Sequence, residues 1–448
     1  MYLLYSLMTA AALVLLSPYF FVRGLMTGKY LGNFRERTGW RFPAKLRTLE
    51  KSCGAIWMHA VSVGEVLAVL PLARRLKERF PERSLVISTT TKTGQRLAKE
   101  RATFADAIFY FPLDFAGAAA RAIRAVQPAL IVIVETEIWP NFLRQARRAR
   151  APVVFVNGRV SEKSHHNYGR LFALTGGVIR KFLARVMQDA EAFLMQSDAD
   201  AARLLELGAP RERVIVTGNL KYDLRPPEEG NLPEWLAAQA SQANRHPLLV
   251  AGSVTANEES KVLQAFSAVE QQFPRALLVL APRKPERFAA AAEIIETSRR
   301  RVIRRSGVSI DGTREPAFAD ARSVFLLDSM GELASIYRIA DAVFVGGSLV
   351  PDGGHNILEP AAFGKPPVFG ASMENFREMA ERFVSARAGV QVATPEELGA
   401  AWIELSEDAA RSEKMGNAAR ELVEQSRGAT DRTLEHLERI LKLREDGA

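Results

Sequence analysis

Short apolar runs alternate with amphipathic stretches from residue 55 onwards. Seven runs in the first half predict strands: Ala55–His59, Leu85–Ser88, Ala107–Phe111, Ala129–Val134, Val153–Val156, Ala192–Met195 and Val214–Val216. The gaps have helical periodicity, over Gly64–Arg79, Lys92–Arg101, Phe115–Val126, Asn141–Arg150, Tyr168–Arg185 and Ala199–Leu207. Fully apolar strands that are each followed by a helix are typical of a parallel sheet covered on both faces.

The alternation restarts in the second half. Its predicted strands are Leu248–Ala251, Ala276–Leu280, Val302–Arg304, Val324–Leu327, Ala342–Val345, Val368–Phe369 and Val390–Val392. The pattern predicts an α/β chain with two Rossmann-like doubly wound domains, 26–223 and 247–405, facing a central cleft. Residues 224–246, with two adjacent prolines, predict a linker, and residues 406–448 predict C-terminal helices. Ligands bind at the carboxyl ends of the strands in such sheets.

The first residues predict a membrane anchor. Met1–Val22 contains no charged side chain, and as a helix it would span roughly 33 Å, about the thickness of a hydrocarbon core. Basic residues follow from Arg23 onwards, and such a flank stays on the cytoplasmic side of a membrane. A cleaved signal peptide is the alternative, but its basic n-region is missing. We therefore expect an anchor helix over residues 1–25, spanning the membrane or lying in its interface.

Composition narrows the class of protein. The chain has 448 residues, a formal net charge of +9 and a pI near 9.7, which suits an anionic partner such as a nucleotide, a nucleic acid or an acidic membrane. Its single cysteine, Cys53, excludes an internal disulfide and a cysteine-built metal site. Basic residues are interspersed with acids and no aromatic-basic RNA motif is present, so we expect no nucleic-acid partner.

A glycine-rich stretch after one predicted strand is the strongest local signal. The strand ends at Gly346–Ser348, and Asn356 then opens a predicted helix over Ile357–Phe363. Glycines allow backbone N–H groups to approach a ligand, and a helix N-terminus favours an anion. Glu359 falls in the first helical turn, where its carboxylate can accept hydrogen bonds from a ribose. The stretch predicts a phosphate or nucleotide site, with a glycine-rich turn before a capped helix as the alternative.

Acidic and basic residues follow several strands of the first half. Glu65 begins a helix, whose dipole would keep the carboxylate ionised and suited to a general base. Glu135 or Glu137, directly after an apolar strand, can stabilise an oxocarbenium-like transition state. Lys221 can neutralise a departing phosphate. The alternatives are helix-capping roles for the glutamates and a solvated position for the lysine.

Two loops of the second half add phosphate-binding chemistry. Pro282 and Arg283 follow the second predicted strand there, and an arginine can bind a phosphate or a pyrimidine carbonyl. Met330, Gly331 and Glu332 follow the fourth, where backbone N–H groups start a helix. Both loops lie at predicted strand ends, on the same edge as the glycine-rich stretch.

These motifs together resemble one family. HAVSVGEV, ETEIWPN, GNLKYD, APRKPER, MGEL and GGSLVPDGGHNILEPAAFGKP occur in the order and spacing of the 3-deoxy-D-manno-octulosonic acid (Kdo) transferases of lipopolysaccharide synthesis. The resemblance extends from the N-terminal segment to about Arg377. It implies a GT-B glycosyltransferase of family 30 at the cytoplasmic face of the inner membrane. It also implies transfer of Kdo from CMP-Kdo to the lipid A precursor with inversion. Fixed cations and helix N-termini can supply the counter-charge for the departing phosphate, so we expect no cofactor or metal.

The resemblance assigns roles to individual residues. Glu65 matches the family's proton acceptor, and Glu135 and Lys221 match positions credited with transition-state stabilisation. The positions that match CMP contacts are Pro282, Arg283, Met330, Gly331, Glu332, Asn356, Ile357, Leu358 and Glu359. The implied partners are CMP-Kdo, the lipid A precursor and the inner-membrane lipid surface.

Some donor-loop positions depart from the family pattern. Lys284 stands where a histidine is usual, Val254 and Thr255 where threonine and histidine are usual, and Ser372 replaces another histidine. These changes bear on the identity of the donor sugar. One alternative function is a membrane GT-B transferase that moves a different nucleotide sugar to a glycolipid. Another is a non-catalytic nucleotide-binding or nucleic-acid-binding scaffold at the membrane.

Overall fold

The structure is a computed structural model, and it describes residues 1–11, 15, 33–49, 53–223, 231–310, 318 and 320–445. The chain divides into two units. The first unit consists of Met1–Leu224 and Ser426–Ala448, and the second of Arg225–Gln425. Each unit is a Rossmann-like α/β fold built around a parallel sheet, as the alternation of apolar runs predicts.

The first sheet has the strand order β3-β2-β1-β4-β5-β6-β7 in the described part of the chain, and all its pairings are parallel. Its strands are β1 Ala55–His59, β2 Leu85–Thr89, β3 Ala107–Tyr110, β4 Pro128–Val134, β5 Val153–Gly158, β6 Ala192–Met195 and β7 Val214–Val216. The order reverses between β1 and β4. Loops that follow two such strands open a crevice at the carboxyl edge of the sheet.

The second sheet has the order β10-β11-β9-β8-β12-β13-β14, again with parallel pairings among its described strands. Its strands are β8 Leu248–Val254, β9 Leu277–Pro282, β10 Arg301–Arg304, β11 Ser323–Leu326, β12 Ala342–Val345, β13 Pro367–Gly370 and β14 Val390–Val392. Here the order reverses between β8 and β12, which places the glycine-rich stretch after β12 at the crevice.

Helices cover both faces of each sheet. Those of the first unit are α1 (residues 2–11), α2 Phe34–Arg37, α3 Ala44–Arg47, α4 Val63–Arg79, α5 Lys92–Arg101, α6 Ala116–Val126, α7 Pro140–Arg148, α8 Glu162–Leu174, α9 Val178–Met187, α10 Asp198–Glu206 and α19 Ala429–Glu445. Those of the second are α11 Leu232–Gln242, α12 Glu259–Gln272, α13 Phe288–Thr297, α14 Leu333–Ile336, α15 Leu358–Ala362, α16 Arg377–Ser385, α17 Pro395–Glu407 and α18 Ala409–Ser426. The side chains between helices and sheets form the cores.

The single helix predicted over Tyr168–Arg185 is wrong. The structure has two helices, α8 and α9, separated at Gly176 and Gly177. These glycines have φ angles of +55° and +76°. A left-handed backbone cannot continue a right-handed helix, and glycine adopts it without steric cost.

The predicted linker over residues 224–246 is too long. Residues 224–230 lie outside the described part, but α11 occupies the middle of the segment and buries Trp235 and Leu236. Near the end of the segment, the side chain of Arg245 is buried and donates hydrogen bonds to backbone carbonyls that directly precede β9 and β11. This segment is therefore part of the second unit.

The predicted C-terminal helices do not form one group. Helix α18 belongs almost wholly to the second unit, whereas α19 returns to the first. Leu434, Leu437 and Leu441 of α19 are buried in a core that also contains Val66 and Leu72 of α4. The last helix thus completes the unit with which the chain begins.

Helix α1 contacts the first unit through polar and aromatic side chains. The hydroxyl of Tyr2 donates to Asp189 at 2.6 Å, and that of Tyr5 donates to Asp114 at 2.9 Å. The opposite side of α1 exposes Leu3, Leu4, Leu7 and Met8. Of the predicted anchor over residues 1–25, residues 12–14 and 16–25 lie outside the described residues. Among the helices that are described, none combines the length and apolar character needed to cross a bilayer.

Candidate active site

Glu65 lies at the switch point of the first sheet, in the first turn of α4. Its Oε2 accepts a hydrogen bond from the backbone N–H of Val61 at 2.8 Å, and its Oε1 accepts one from the hydroxyl of Ser62 at 2.8 Å. Only 8% of Glu65 is exposed. The side chain therefore has the capping contacts that the sequence left as an alternative, and these contacts fix its position at the sheet edge.

Burial raises the pKa of the Glu65 carboxyl to about 7. The charges of Glu135 and Glu137 raise this pKa further, while the hydrogen bonds from Val61 and Ser62 oppose the shift. Although the helix N-terminus was expected to keep Glu65 ionised, burial is the largest influence on this carboxyl and brings its pKa close to neutral. A carboxylate with a pKa near the working pH is well suited to accept a proton.

Glu135 follows β4 on the other side of the switch point. Its φ angle is +60°, a left-handed conformation that is uncommon for residues other than glycine. The turn is held by Thr136, whose hydroxyl donates to the carbonyl of Arg159 at 2.7 Å and accepts from its N–H at 2.9 Å. Burial and the charge of Glu135 raise the pKa of Glu137. Glu135 and Glu137 thus lie at the carboxyl edge of the first sheet, where the sequence predicted acidic residues after an apolar strand.

Lys221 supplies a positive charge at the same edge. It lies on the short 3-10 turn Leu220–Asp223 after β7, and its Nζ is 4.0 Å from Oε1 of Glu135. Asn157, at the end of β5, accepts the N–H of Leu220 at 2.9 Å. The structure therefore brings together Glu65, Glu135 and Lys221, three residues separated widely in the sequence.

Two residues that support Lys221 were not identified from the sequence. Asn157 has a left-handed φ of +55° and holds the 3-10 turn through Leu220. Asp223 accepts the backbone N–H groups of Gly428, at 2.7 Å, and Thr430 at the start of α19. Asp223, the aspartate of GNLKYD, thus connects the Lys221 turn to α19. The motif alone does not indicate this contact, because the partner residues are far away in the sequence.

The glycine-rich turn after β12 differs from its prediction. Its backbone N–H groups were expected to contact a ligand, but those of Gly347, Ser348 and Leu349 donate to the carboxylate of Glu258, at 2.7, 3.0 and 2.9 Å. Glu258 follows β8 on the other side of the switch point and also accepts the N–H of Thr255 at 3.1 Å. An internal carboxylate thus occupies the anion-binding turn.

His355 lies on this turn. A side chain at Gly347 would come within 2.8 Å of the His355 ring, and the N–H of Gly354 donates to the carbonyl of Gly347 at 2.8 Å. Burial, helped by the charge of Arg283, lowers the pKa of His355 to about 4, so its imidazole is neutral. Its Nε2 is buried and has no hydrogen-bond partner within the part of the chain that the structure describes. Sequence reasoning did not single out this residue.

The segment Asn356–Glu359 begins α15. The side chain of Asn356 accepts the N–H of Leu358 at 3.2 Å and donates to Glu359 at 3.4 Å. Ile357 and Leu358 are buried, so only their backbone is available to a ligand. Burial raises the pKa of Glu359, while the hydrogen bond from Asn356 and the charge of Arg283 oppose that shift. Arg283 is therefore close enough to act electrostatically on both Glu359 and His355.

The remaining predicted contacts lie on neighbouring strands. Pro282 ends β9, and the N–H of Arg283 donates to Val254 at 2.8 Å. Met330, Gly331 and Glu332 follow β11. Met330 is exposed, Gly331 has a φ of +92°, and Glu332 forms an ion pair with Arg305 at 3.0 Å. Within the described part, no hydrogen bond joins this loop to Asn356–Glu359, although both lie at the carboxyl edge of the second sheet.

Comparison with known proteins decides the family. Residues 32–224 match the family described as "3-Deoxy-D-manno-octulosonic-acid transferase (kdotransferase)", and residues 320–422 match "Glycosyl transferases group 1". Over 390 residues the chain is 36% identical to the 3-deoxy-D-manno-octulosonic acid transferase of Haemophilus influenzae, covering 86% of this chain and 87% of that protein. The chain belongs to the Kdo transferases.

Other relatives agree. This Kdo transferase is 33% identical over 415 residues to the 3-deoxy-D-manno-octulosonic acid transferase of Bordetella pertussis, covering 90% of each chain. A putative UDP-N-acetylglucosamine 2-epimerase from Listeria monocytogenes has a TM-score of 0.57 at 13% identity, covering 88% of this chain and 97% of that one. At that identity the likeness concerns the fold alone. The Kdo transferase is thus a glycosyltransferase with a GT-B fold, as its motifs predict.

Proposed function

We propose that this Kdo transferase moves Kdo from CMP-Kdo to the lipid A precursor in lipopolysaccharide core synthesis, with inversion at the anomeric carbon. Its donor is held by the second unit and its acceptor alcohol by the first. One observation carries the proposal most directly: a buried carboxylate, Glu65, lies at the switch point with a pKa of about 7. Such a group is poised to take a proton from a hydroxyl at neutral pH.

In the proposed reaction, Glu65 accepts the proton of an acceptor hydroxyl as its oxygen attacks the anomeric carbon of Kdo. The bond from that carbon to the CMP phosphate breaks, and the phosphate keeps the electron pair. Glu135 stabilises positive charge that develops at the sugar ring, and Lys221 stabilises the departing phosphate. The 4.0 Å ion pair between Lys221 and Glu135 keeps both charged side chains in position before the substrates bind. The proposal needs no metal or cofactor.

The donor site is proposed along the carboxyl edge of the second sheet. Arg283 binds the phosphate or cytosine carbonyl, and Glu359 accepts hydrogen bonds from the ribose. Because the Gly347–Leu349 N–H groups already bind Glu258, the backbone of Asn356–Glu359 is the better candidate for phosphate contact. Pro282, Met330, Gly331 and Glu332 complete the proposed CMP contacts.

A basic surface of the first unit suits the phosphates of the acceptor. Residues 163–188 carry Lys163, Arg170, Arg180, Lys181 and Arg185 and no acidic residue. They include α9, the turn before it and nearly all of α8, and they begin just beyond the Arg159 turn at the candidate active site. Cations near that edge can bind anionic groups of a lipid acceptor.

The proposed location is the cytoplasmic face of the inner membrane. The apolar outer side of α1, formed by Leu3, Leu4, Leu7 and Met8, supports contact with lipid. Substituting these four residues with serine should reduce co-sedimentation with vesicles that contain anionic phospholipid. The Tyr2→Phe variant is the matched control, because Tyr2 faces the protein, and it should sediment as wild type. Equal sedimentation of all three proteins would contradict this location for α1.

The function is tested with purified full-length protein, CMP-Kdo and a bisphosphorylated lipid A precursor, with products counted by mass. Transfer of Kdo by the wild type and its loss in Glu65→Ala are the expected results. Calorimetry with CMP and UDP separates the proposed donor class from another nucleotide sugar. Preference for UDP with no Kdo transfer would overturn the proposal, and full turnover by Glu65→Ala would overturn the assigned base.

A further inference from the structure

Glu258 is a buried carboxylate with an unusual set of partners. It is 0% exposed, and four backbone N–H groups donate to it, those of Thr255, Gly347, Ser348 and Leu349. Burial raises its pKa, and these four hydrogen bonds oppose the rise. A buried charge needs such compensation, so the glycine turn and Glu258 depend on each other.

The turn fits closely around this carboxylate. A side chain at Gly346 would lie 2.7 Å from Oε2 of Glu258 and 2.8 Å from Cα of Val254. Gly347 has a φ of +68°, and a side chain there would lie 2.8 Å from the ring of His355. The glycines therefore allow the turn to be sandwiched between Glu258 and His355. Gly346 and Gly347 belong to the stretch that predicted a phosphate site, and in the structure they leave room for Glu258 and His355 instead.

One more hydrogen bond links the Gly346–Leu349 turn to the proposed donor-binding segment, Asn356–Glu359. The carbonyl of Gly347 accepts the N–H of Gly354 at 2.8 Å. Asn356, the first residue of the proposed CMP-binding segment, is two residues further along. A shift of Gly347 would move Gly354 and the His355 ring together, and Asn356 with them.

We propose that Glu258 is a positioning residue for donor binding, which sets the Asn356–Glu359 segment by holding the Gly346–Leu349 turn. The inference rests on the proposed function, because it assumes that Asn356–Glu359 binds the CMP moiety. Glu258 itself need not touch the donor. Its role requires both carboxylate oxygens, since each accepts two N–H groups, and an amide would turn its own N–H donors towards them.

The test compares Glu258→Gln with Glu259→Gln in the full-length enzyme. Glu259 is the matched control because it is the next residue, is equally buried and forms an ion pair with Arg287 at 2.7 Å rather than contacting the turn. Glu258→Gln should raise KM for CMP-Kdo at least about tenfold, with kcat within about threefold. KM for the acceptor should be unchanged in both variants, and Glu259→Gln should keep the wild-type donor KM.

Chemical rescue separates positioning from general destabilisation. In Glu258→Ala, acetate should restore part of the donor affinity by filling the four N–H groups, whereas acetamide should not. If Glu258→Gln does not fold, Glu258→Asp decides, with an expected rise in donor KM of about threefold or more. A wild-type donor KM in a folded Glu258 variant overturns the inference. Absence of CMP binding and of Kdo transfer in the wild type would instead overturn the proposed function.

Discussion

The ammonium of Lys221 lies 4.0 Å from the carboxylate of Glu135, although the two residues are 86 positions apart in the sequence. Lys221 comes from the turn after β7 and Glu135 from the end of β4, two strands that are not neighbours in the sheet. Both side chains are partly buried, with 20% and 29% of their surface exposed. Because Lys221 and Glu135 are held by separate loops, their ion pair can stay in place when a charged sugar and phosphate bind beside it.

We expect Lys221→Met to lower kcat by about 10²-fold, because a fixed cation near a departing phosphate acts mainly in the transition state. The KM for CMP-Kdo should change much less. Lys77→Met is a matched control, since Lys77 forms an ion pair with Asp106 at 3.0 Å elsewhere in the first unit. Steady-state kinetics decide the matter, and equal losses in the two variants would argue against a role in catalysis.

The pH dependence should follow the ionisation of Glu65. Its pKa of about 7 means that the base is protonated at lower pH, so kcat/KM for the acceptor should fall about tenfold per pH unit below 7 and level off above it. Glu65→Gln should lose about 10²-fold to 10⁴-fold in kcat. A rate profile that stays flat between pH 5.5 and 7 would be inconsistent with this base.

Removing a neighbouring negative charge should move that profile. The charge of Glu137 raises the pKa of Glu65, so Glu137→Gln should shift the acidic limb to lower pH. Glu82→Gln, an exposed glutamate before β2 at the opposite edge of the sheet, should leave the limb in place. The comparison needs only rates across pH, and an unchanged or upward shift in Glu137→Gln would contradict the electrostatic coupling.

In the second unit, Glu359→Gln should weaken CMP binding by about tenfold, because the proposed acceptor of the ribose hydrogen bonds would lose its charge. Isothermal calorimetry measures the effect. Glu378→Gln is the control, since Glu378 is an exposed glutamate in the first turn of another helix, α16. Unaltered affinity in Glu359→Gln would remove this residue from the proposed site.

Arg245 offers a test of stability. Its guanidinium donates to the carbonyls of Arg275, at 3.0 Å, Asp320, at 2.7 Å, and Ala276. Arg245→Met removes the charged donor from the buried carbonyl of Ala276, while the carbonyls of Arg275 and Asp320 keep hydrogen bonds from His246 and Ser323. Local unfolding of the second unit should therefore become easier by about 1–3 kcal/mol. Hydrogen exchange at β9 and β11 measures this, with the exposed Arg301→Met as control. Unchanged protection in Arg245→Met would contradict the assigned role.

The sheets were predictable from the sequence because a parallel strand covered on both faces is apolar throughout. Each predicted strand has its counterpart in the described structure, and Glu65 and Glu135 lie at the switch point as strand ends suggest. The long helix predicted over Tyr168–Arg185 failed because helical periodicity persists on both sides of Gly176 and Gly177.

Contacts between distant segments escaped the sequence. Glu258 binds a turn 89 residues away, and Asp223 binds backbone 205 residues away. In both cases the partners are backbone N–H groups, which every residue except proline carries, so no side-chain pattern marks them. The ionisation of Glu65 escaped for a similar reason, because burial depends on neighbours that a linear sequence does not reveal.

The return of α19 to the first unit has a consequence for biosynthesis. Its leucines cover an apolar surface beside α4, and Asp223 binds its first turn. A ribosome makes this helix only after the entire second unit, so this core of the first unit stays incomplete for most of translation. Nascent chains that stop before Leu434 would therefore leave that surface uncovered, and they would be the forms most in need of chaperones.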